Sequence, residues 1–474
     1  MNLSIYFKEF SRNIQLAYPI ILGMVGHTLI AIVDNVMVGK LGAAELAAVS
    51  LGNSFVFVAM SVGIGFSTAI TSIVAQNDAR KDVEGVRSAF HHGLILCSAI
   101  GISLFAALYL FKPVMSYMGQ PEEVVQLAAP FVDIVAFSLI GVMIFQGYKQ
   151  FADGMSKTKY SMYAIIVANI VHFFVNFCLI YGFWIFPKMG ILGAAVGTLV
   201  SRVIMVVMMH YMMRKDKDLR QYFDRFSFKN LQRSLINKIV AIGLPSAMIM
   251  FFEVVLFTSA VWLTGSIGKT SQAANQIALS LASLTFMFAS GLSVTAMIRV
   301  GNQKGLERYK YLKTVARSIL LLGFFLEVGF ALIFIILHKI LPLIFLEMNN
   351  PEKFIENSEV IIIASRLLII AALFQISDGI QAIILGALRG LQDVKIPAII
   401  TFFSYWMIGF PICVYLGLYT DLGAVGVWIG LLVGLTVAGI LLYMRFEKLT
   451  NKLIHKKPLV RTTPPPTLKQ IPEL

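Results

Sequence analysis

Twelve runs of roughly 20 or more mostly apolar residues, each closed by a short polar connection, leave this chain little choice of fold. They fall approximately at 14–38, 48–74, 90–110, 127–150, 161–183, 191–213, 238–262, 274–298, 315–337, 360–386, 396–418 and 424–444. About 20 helical residues cross the hydrocarbon core of a bilayer. Backbone groups in lipid must find their partners within the chain, so runs of this length become helices. The expected fold is therefore an all-α polytopic membrane protein with 12 transmembrane helices. Composition agrees: 58% of residues are hydrophobic and 14% charged, with mean hydropathy +0.80. A soluble domain carries roughly 25% charged residues, and disordered, collagenous and coiled-coil chains are excluded by the same figures. The first run has no small-residue cleavage site after its core, so it reads as a span rather than a removable signal. Cys97, Cys178 and Cys413 all lie in apolar runs, which argues against a disulfide framework or a thiolate metal site.

The formal charge of +14 is distributed by topology. Of 39 Lys and Arg, 31 fall at the termini and in every second gap, while the opposite gaps hold only Lys40, Lys112, Lys188, Lys269, Lys339 and Lys353. The positive-inside rule places both termini in the cytoplasm. No compact basic domain or recognition motif accompanies the charge, so nucleic acid is not an expected partner. The polar stretch 214–237 separates two sets of six spans. This divides the chain into an N-lobe (1–213), a cytoplasmic linker, a C-lobe (238–444) and a cytoplasmic tail (445–474) containing Pro464, Pro465 and Pro466. Linker and tail are basic enough to meet anionic lipid.

The two halves are a duplication. A shift of 226 residues carries Pro19 onto Pro245, Gly42 onto Gly268, Ser54 onto Ser280, Gly65 onto Gly291 and Ser67 onto Ser293. Gly154 meets Gly390 after a ten-residue slippage. Six spans is an even number, so both halves share one orientation, giving two pseudo-symmetric six-helix lobes about an axis along the membrane normal. A cavity between them is expected.

Ionisable groups inside spans are costly and mark functional sites by default. Asp34, Glu253 and Asp378 sit at comparable depth in spans 1, 7 and 10. Each can bind Na⁺ when ionised or carry a proton, and the residues alone do not separate these uses. Asp133, near the outer end of span 4, reads as structural. Glu327 in span 9 divides evenly between a buried hydrogen bond and a function. Under the 226 shift Glu253 falls on His27, and Asp34 falls on Ala260, so the lobes are charged differently. His27, two turns before Asp34, is expected to face the same cavity and to tune Asp34 or share a proton with it. His172 and Asn176, four apart in span 5, share a face beside Phe173, Phe174 and Phe177. Gln272, Asn275 and Gln276 open span 8 on what the spacing makes one face, as interhelical bonds or cavity lining. Pro411 lies deep enough to kink span 11.

Soluble chemistry is missing: there is no phosphate-binding loop, dinucleotide fingerprint, zinc helix or nucleophile elbow. Neither an enzyme nor a cofactor is expected, and transport would draw on an ion gradient.

The chain resembles the multidrug and toxic compound extrusion family, in its bacterial NorM-like branch. The resemblance covers nearly all twelve spans. It is carried by Pro19 and the run Asp34-Asn35-Val36-Met37-Val38-Gly39-Lys40-Leu41-Gly42, then by Asn176 and Ile180-Tyr181-Gly182. Pro245, Glu253, Asp378-Gly379 and Gly386-Ala387-Leu388-Arg389-Gly390-Leu391-Gln392-Asp393 complete it. It implies a V of two lobes in the bacterial inner membrane, exporting small organic cations in exchange for Na⁺ or H⁺. Asp34 matches the family's N-lobe aspartate; Glu253 and Asp378 match its C-lobe cation-site acids and could hold Na⁺. Where the branch often has asparagine one turn before Asn176, this chain has His172, a second titratable candidate. Membrane lipids surround such a chain, and a monomer is expected because one chain supplies both lobes. A flippase for lipid-linked cargo is the alternative, but it calls for a basic cavity, and the spans offer only Arg202 and Arg366. A passive channel would lack the occluding step.

Overall fold

The computed structural model describes residues 4–117, 121–183, 185–223, 231–346 and 354–455. The tail from 456 onward, with its three prolines, and linker residues 224–230 lie outside the described residues. Twelve described helices are long and apolar enough to cross a bilayer. In the first lobe these are α1 (Phe10–Gly39), α2 (Ala44–Ala79), α3 (Val83–Tyr117), α4 (Glu122–Gly154), α5 (Lys159–Tyr181) and α6 (Ile191–Lys215). The second holds α7 (Arg233–Ile267), α8 (Lys269–Gly305), α9 (Tyr309–Leu337), α10 (Asn357–Gly390), α11 (Lys395–Leu418) and α12 (Ala424–His455). Several outrun the apolar segments that mark them. At about 1.5 Å per residue, the 37 residues of α8 are too long for the hydrocarbon alone, so helix ends project beyond it. The last helix continues to His455, past the apolar end at 444. Fully buried Phe446, the Arg445–Asp393 pair (2.8 Å) and the pairs of Glu447 with Lys313 (2.5 Å) and Arg317 (2.9 Å) hold it against the C-lobe.

The duplication is written in the backbone as well. Lys81 and Glu307, 226 residues apart, both have φ 59°; Ser156 and Gln392, 236 apart, have φ 59° and 57°. Each ends a helix by turning left-handed so that the next N–H reaches a carbonyl five residues back: Asp82 to Asn77 (3.0 Å), Arg308 to Gln303 (3.0 Å), Lys157 to Ala152 (2.8 Å) and Asp393 to Leu388 (3.0 Å). These are Schellman closures, built here without glycine.

Two helices are irregular. Helix α4 breaks at Ser138, between Glu122–Phe137 and Leu139–Gly154. Helix α11 widens into a π turn over Phe403–Gly409, where the Phe410 N–H bonds the Tyr405 carbonyl five residues back. Pro411 explains the second: it has no N–H to give the preceding turn and its ring crowds that turn's carbonyl. The distortion therefore lies just before the proline rather than at it.

The lobes meet through α2 against α7 and α8, and through α1 against α8. Their hydrogen bonds gather in the cytoplasmic half. Gln76 donates to the Gly390 carbonyl (2.9 Å), Arg80 to that of Gly305 (3.4 Å) and Gln392 to that of Ser72 (3.4 Å). Nearer mid-membrane, Thr28 reaches the Met287 sulfur (3.8 Å). The residues leading into α1 form a latch. Arg299 of α8 binds Glu9 (2.6 Å) and Asn13, and Asn13 donates to Ser318 (3.1 Å). Ser318 in turn donates to the Tyr6 carbonyl (2.7 Å), and the Tyr311 hydroxyl donates to Glu9 (2.7 Å). Asn13 and Ser318 are fully buried and Arg299 is 4% exposed. Burial pushes the Glu9 carboxyl up, but hydrogen bonds from Arg299 and Tyr311 and the charges of Arg299 and Arg12 outweigh it and hold Glu9 below its usual value. Its contribution is thus present above the ordinary glutamate pKa and lost as pH falls through the depressed one, so the latch stays shut throughout the physiological range.

Removing one partner of a buried pair costs about 3–5 kcal/mol. Arg299→Gln should therefore loosen the cytoplasmic seam. Disulfide formation between Ser72→Cys and Gln392→Cys, in a background without the native cysteines, reads this directly: fast in the parent and several-fold slower with Arg299→Gln. An unchanged rate would mean the latch does not hold the seam.

Candidate functional site

In the N-lobe, α5 is fastened to α1 by a row of polar side chains. Asn169 donates to the Gly26 carbonyl (2.6 Å), and Tyr181 to that of Met37 (2.9 Å). Between them His172 and Asn176 converge on one oxygen of Asp34. His172 Nε2 lies 2.8 Å from Asp34 Oδ1, Asn176 Nδ2 donates to the same atom at 2.5 Å, and the two donors are 3.1 Å apart. All three are buried, with Asp34 6% exposed, and His172 Nδ1 and Asn176 Oδ1 have no partner. Asp34 as a carboxylate requires the His172 proton on Nε2, which leaves Nδ1 free to take another. The four-residue spacing that put His172 and Asn176 on one helix face accounts for the meeting.

His27 makes no hydrogen bond to Asp34; its charged neighbour is Arg202 of α6. Arg202 fills the break in α4, donating to the Ser138 hydroxyl (2.5 Å) and the Val135 carbonyl (3.2 Å), and lies within electrostatic range of Asp34. Ile30, Val33, Asn169, Ile170, His172, Phe173 and Phe174 line a cavity of about 340 Å³ above the triad. Its lining is almost wholly apolar, with Phe173 and Phe174 as the aromatic wall. A methyl group on Gly197 of α6 would fall on Asn176 Oδ1. Gly197→Ala should push Asn176 from Asp34 and reduce transport about as far as Asn176→Ala does, with the protein still folded; a fully active Gly197→Ala would show that Asn176 is not needed at its present position.

The C-lobe gathers more charge with fewer bonds. Asp378 of α10 is 4% exposed and Glu327 of α9 is 1% exposed, and both carboxylates interact with each other; Asp378 also feels Glu253 of α7. Neither Glu327 oxygen has a hydrogen-bond partner, nor does Asp378 Oδ1. Glu327 packs on bare backbone, since a methyl on Gly379 would come within 2.7 Å of its Cγ. Arg389, on the last turn of α10, is the nearby cation and lies within range of Glu253. Tyr405 of the π turn and Gln381 of α10 are fully buried and approach one another without closing a well-formed bond. Among the described residues, no three His, Cys, Asp or Glu side chains come together closely enough to hold a metal ion.

Other polar residues fall elsewhere. Gln272, Asn275 and Gln276 do not share one face: Asn275 is fully buried and accepts from Trp428 Nε1 (2.8 Å), whereas Gln272 and Gln276 are exposed. Asn275 and Gln276 differ by about 100° around a helix, enough to send one into the C-lobe core. Asn35 is exposed at the outer end of α1. Asp133 pairs with Lys112 through both oxygens (2.8 Å each). Sequence reasoning missed Asn169, Gln381, Arg389 and Tyr405. Arg389 was legible, because it follows Asp378 by 11 residues, about three turns; its place near a loop hid it among cytoplasmic charges.

Two six-helix lobes of common orientation, each burying carboxylates within the membrane and meeting along a seam, define a secondary transporter. Residues 19–178 and 245–415 match the family model described as MatE, with starting points 226 residues apart, and the chain belongs to this family of multidrug efflux transporters. It is 32% identical over 446 residues to "Probable multidrug resistance protein NorM" of Rhizobium meliloti (strain 1021), covering 94% of each chain. It is 32% identical over 445 residues to "Multidrug resistance protein MdtK" of Proteus mirabilis (strain HI4320), covering 93% of this chain and 95% of that one. The fold superposes on the eukaryotic MATE transporter AtDTX14 with TM-score 0.84 at 21% identity, over 95% of this chain and 99% of that one. On a MOP superfamily transporter from Pyrococcus furiosus it gives 0.83 at 20% identity, over 93% and 96%. This is a bacterial multi-pass inner-membrane transporter and not an enzyme.

Proposed function

We propose that the chain exports small organic cations in exchange for Na⁺ or H⁺, with Asp34, Glu253 and Asp378 as the coupling groups. The observation that carries this reading is the C-lobe cluster, in which three acids within the spans come together, only Glu253 of them beside Arg389, and three of their oxygens lack any bond. Such a cluster gains from taking up positive charge, whether as protons or as a sodium ion. A sodium ion at Glu253 and Asp378 would need further oxygens, and the Tyr405 hydroxyl and the Gln381 amide oxygen are uncommitted. An organic cation in the aromatic cavity would be held through Phe173 and Phe174 and drawn by Asp34. Ion uptake removes that attraction, so ion and cargo weaken one another reciprocally. His172, Asn176 and Arg202 fix the position and field of Asp34, and His27 tunes that field through Arg202 rather than through a direct bond. The working unit is a monomer with lobes 1–213 and 238–444 joined by the linker 214–237, lying among membrane lipids. The lipid-linked alternative loses support because Arg202 and Arg389 each stand near an acid, as buried Arg299 does beside Glu9.

Ethidium efflux from proteoliposomes, driven by a Na⁺ gradient and by a pH gradient in separate runs, tests the proposal. Efflux under at least one gradient, abolished by an ionophore for that ion, is the expected result. Absence of efflux under both would overturn it.

A further inference from the structure

The polar groups of the C-lobe do not end at Asp378. Asp378, Gln381 and Arg389 descend α10 toward the cytoplasm, the first and last on one face because 11 residues make about three turns. Tyr405 faces this stripe from the π turn of α11, near Asp378, Gln381 and Arg389, fully buried and with an unbonded hydroxyl. Neither amide atom of fully buried Gln381 is bonded either. Buried polar atoms without partners are a small minority in native structures, and π turns concentrate at functional sites. Here the two meet where Tyr405 of the π turn comes up to Gln381 of α10, which gives a cation a succession of oxygens between mid-membrane and the cytoplasmic end.

Arg389 stands at the lower end of that stripe. Its Nε and Nη2 are buried and unbonded. The contrast with Arg202 is informative: there the guanidinium repairs a helix break with two hydrogen bonds, as a structural arginine does. The charge of Arg389 instead faces Glu253 and Tyr405. The next residue, Gly390, takes the seam bond from Gln76, so Arg389 sits where the stripe reaches the closed face between the lobes.

We propose that Arg389 plugs the cytoplasmic end of the C-lobe polar stripe, a fixed cation set against Glu253 that bars Na⁺ or protons from passing through the lobe without cargo. This rests on the C-lobe being the ion-coupling site. A guanidinium keeps its charge in any surroundings the protein offers, and a fixed positive charge in a medium of low dielectric repels a second cation strongly. Fixed arginines exclude cations from membrane pores in the same way. Lysine at 389 would preserve the charge; glutamine would preserve polarity and remove the barrier.

The full chain in proteoliposomes with no organic cation present gives the test. A pH gradient or a Na⁺ gradient is imposed and its decay followed by an internal pH dye or by ²²Na⁺ release. Wild-type vesicles should hold both gradients, Arg389→Gln should dissipate the coupling ion's gradient at least about ten-fold faster, and Arg389→Lys should restore tightness. Arg389→Met, uncharged and of similar reach, supplies the same measurement if the glutamine variant is not recovered folded. Adding Gln381→Leu and Tyr405→Phe should interrupt the stripe and reseal the leak. Folded Arg389→Gln or Arg389→Met vesicles as tight as wild type would overturn the proposal, as would a leak that Arg389→Lys does not correct. Because no cargo is present, these outcomes are separate from failure of the antiport reading, which would appear as missing ethidium efflux in the wild type.

Discussion

Asp378→Asn should bring ion-driven ethidium efflux down about 100-fold, close to protein-free vesicles, while the protein remains folded. The substitution conserves shape and removes only the charge. The side chain is 4% exposed and already lacks a partner at Oδ1, so little packing is lost. What disappears is a charge whose neutralisation by the incoming ion differs between the loaded and the empty transporter. Coupling free energies between two ligands are about 1–3 kcal/mol, or about 5–150-fold in affinity, and losing most of that leaves ion and cargo independent. A second readout follows: ethidium affinity should fall with increasing ion concentration in the wild type and become flat in Asp378→Asn. A variant keeping half of wild-type efflux with its ion dependence intact would move the coupling site out of the C-lobe.

Asp34→Asn should have a comparable effect through the other lobe. The carboxylate oxygen that receives both His172 and Asn176 can be replaced by an amide oxygen in the same place, so the triad persists as a hydrogen-bonded unit without its negative charge. Efflux should fall at least about 30-fold, within the range such couplings span. His172→Asn makes the informative companion, since it restores the asparagine that the family pattern often carries there. That variant should retain efflux within about three-fold, because an asparagine amide can still donate a hydrogen bond to Asp34. Efflux lost in both variants would give His172 a role that asparagine cannot fill. Efflux retained in Asp34→Asn would leave the N-lobe acid without a part in coupling.

The twelve helices and the two lobes were legible because lipid imposes one strong rule, and apolar length carries it. The pairing of Asp34 with His172 and Asn176 was half legible: the four-residue spacing set the last two on one face, but a contact between α1 and α5 has no local signature. His27 was legible only in part. Seven residues suggest a shared face with Asp34, yet two turns are about 10 Å along the axis, too far for a direct bond, and Arg202 is the charge that His27 meets. The span 8 polar trio failed on angle, since i+3 and i+4 lie on opposite sides of residue i. Glu327 could not be assigned because its neighbour Gly379 belongs to another helix, and the space a glycine leaves open is visible only in three dimensions.

The matched left-handed residues at the helix ends have a practical consequence for anyone handling this protein. Lys81, Ser156, Glu307 and Gln392 hold a backbone geometry that costs a side-chain-bearing residue about 1–2 kcal/mol, and all four do so without being glycine. Glycine at each would relieve that cost, less the added freedom of the unfolded chain. Gln392 also donates across the seam to Ser72, so the change is confined to Lys81 and Ser156, which lie in short turns of the N-lobe and add to one another. A variant with glycine at Lys81 and Ser156 would thus melt later in detergent at unchanged transport chemistry, a reserve of stability that these turns have left untouched.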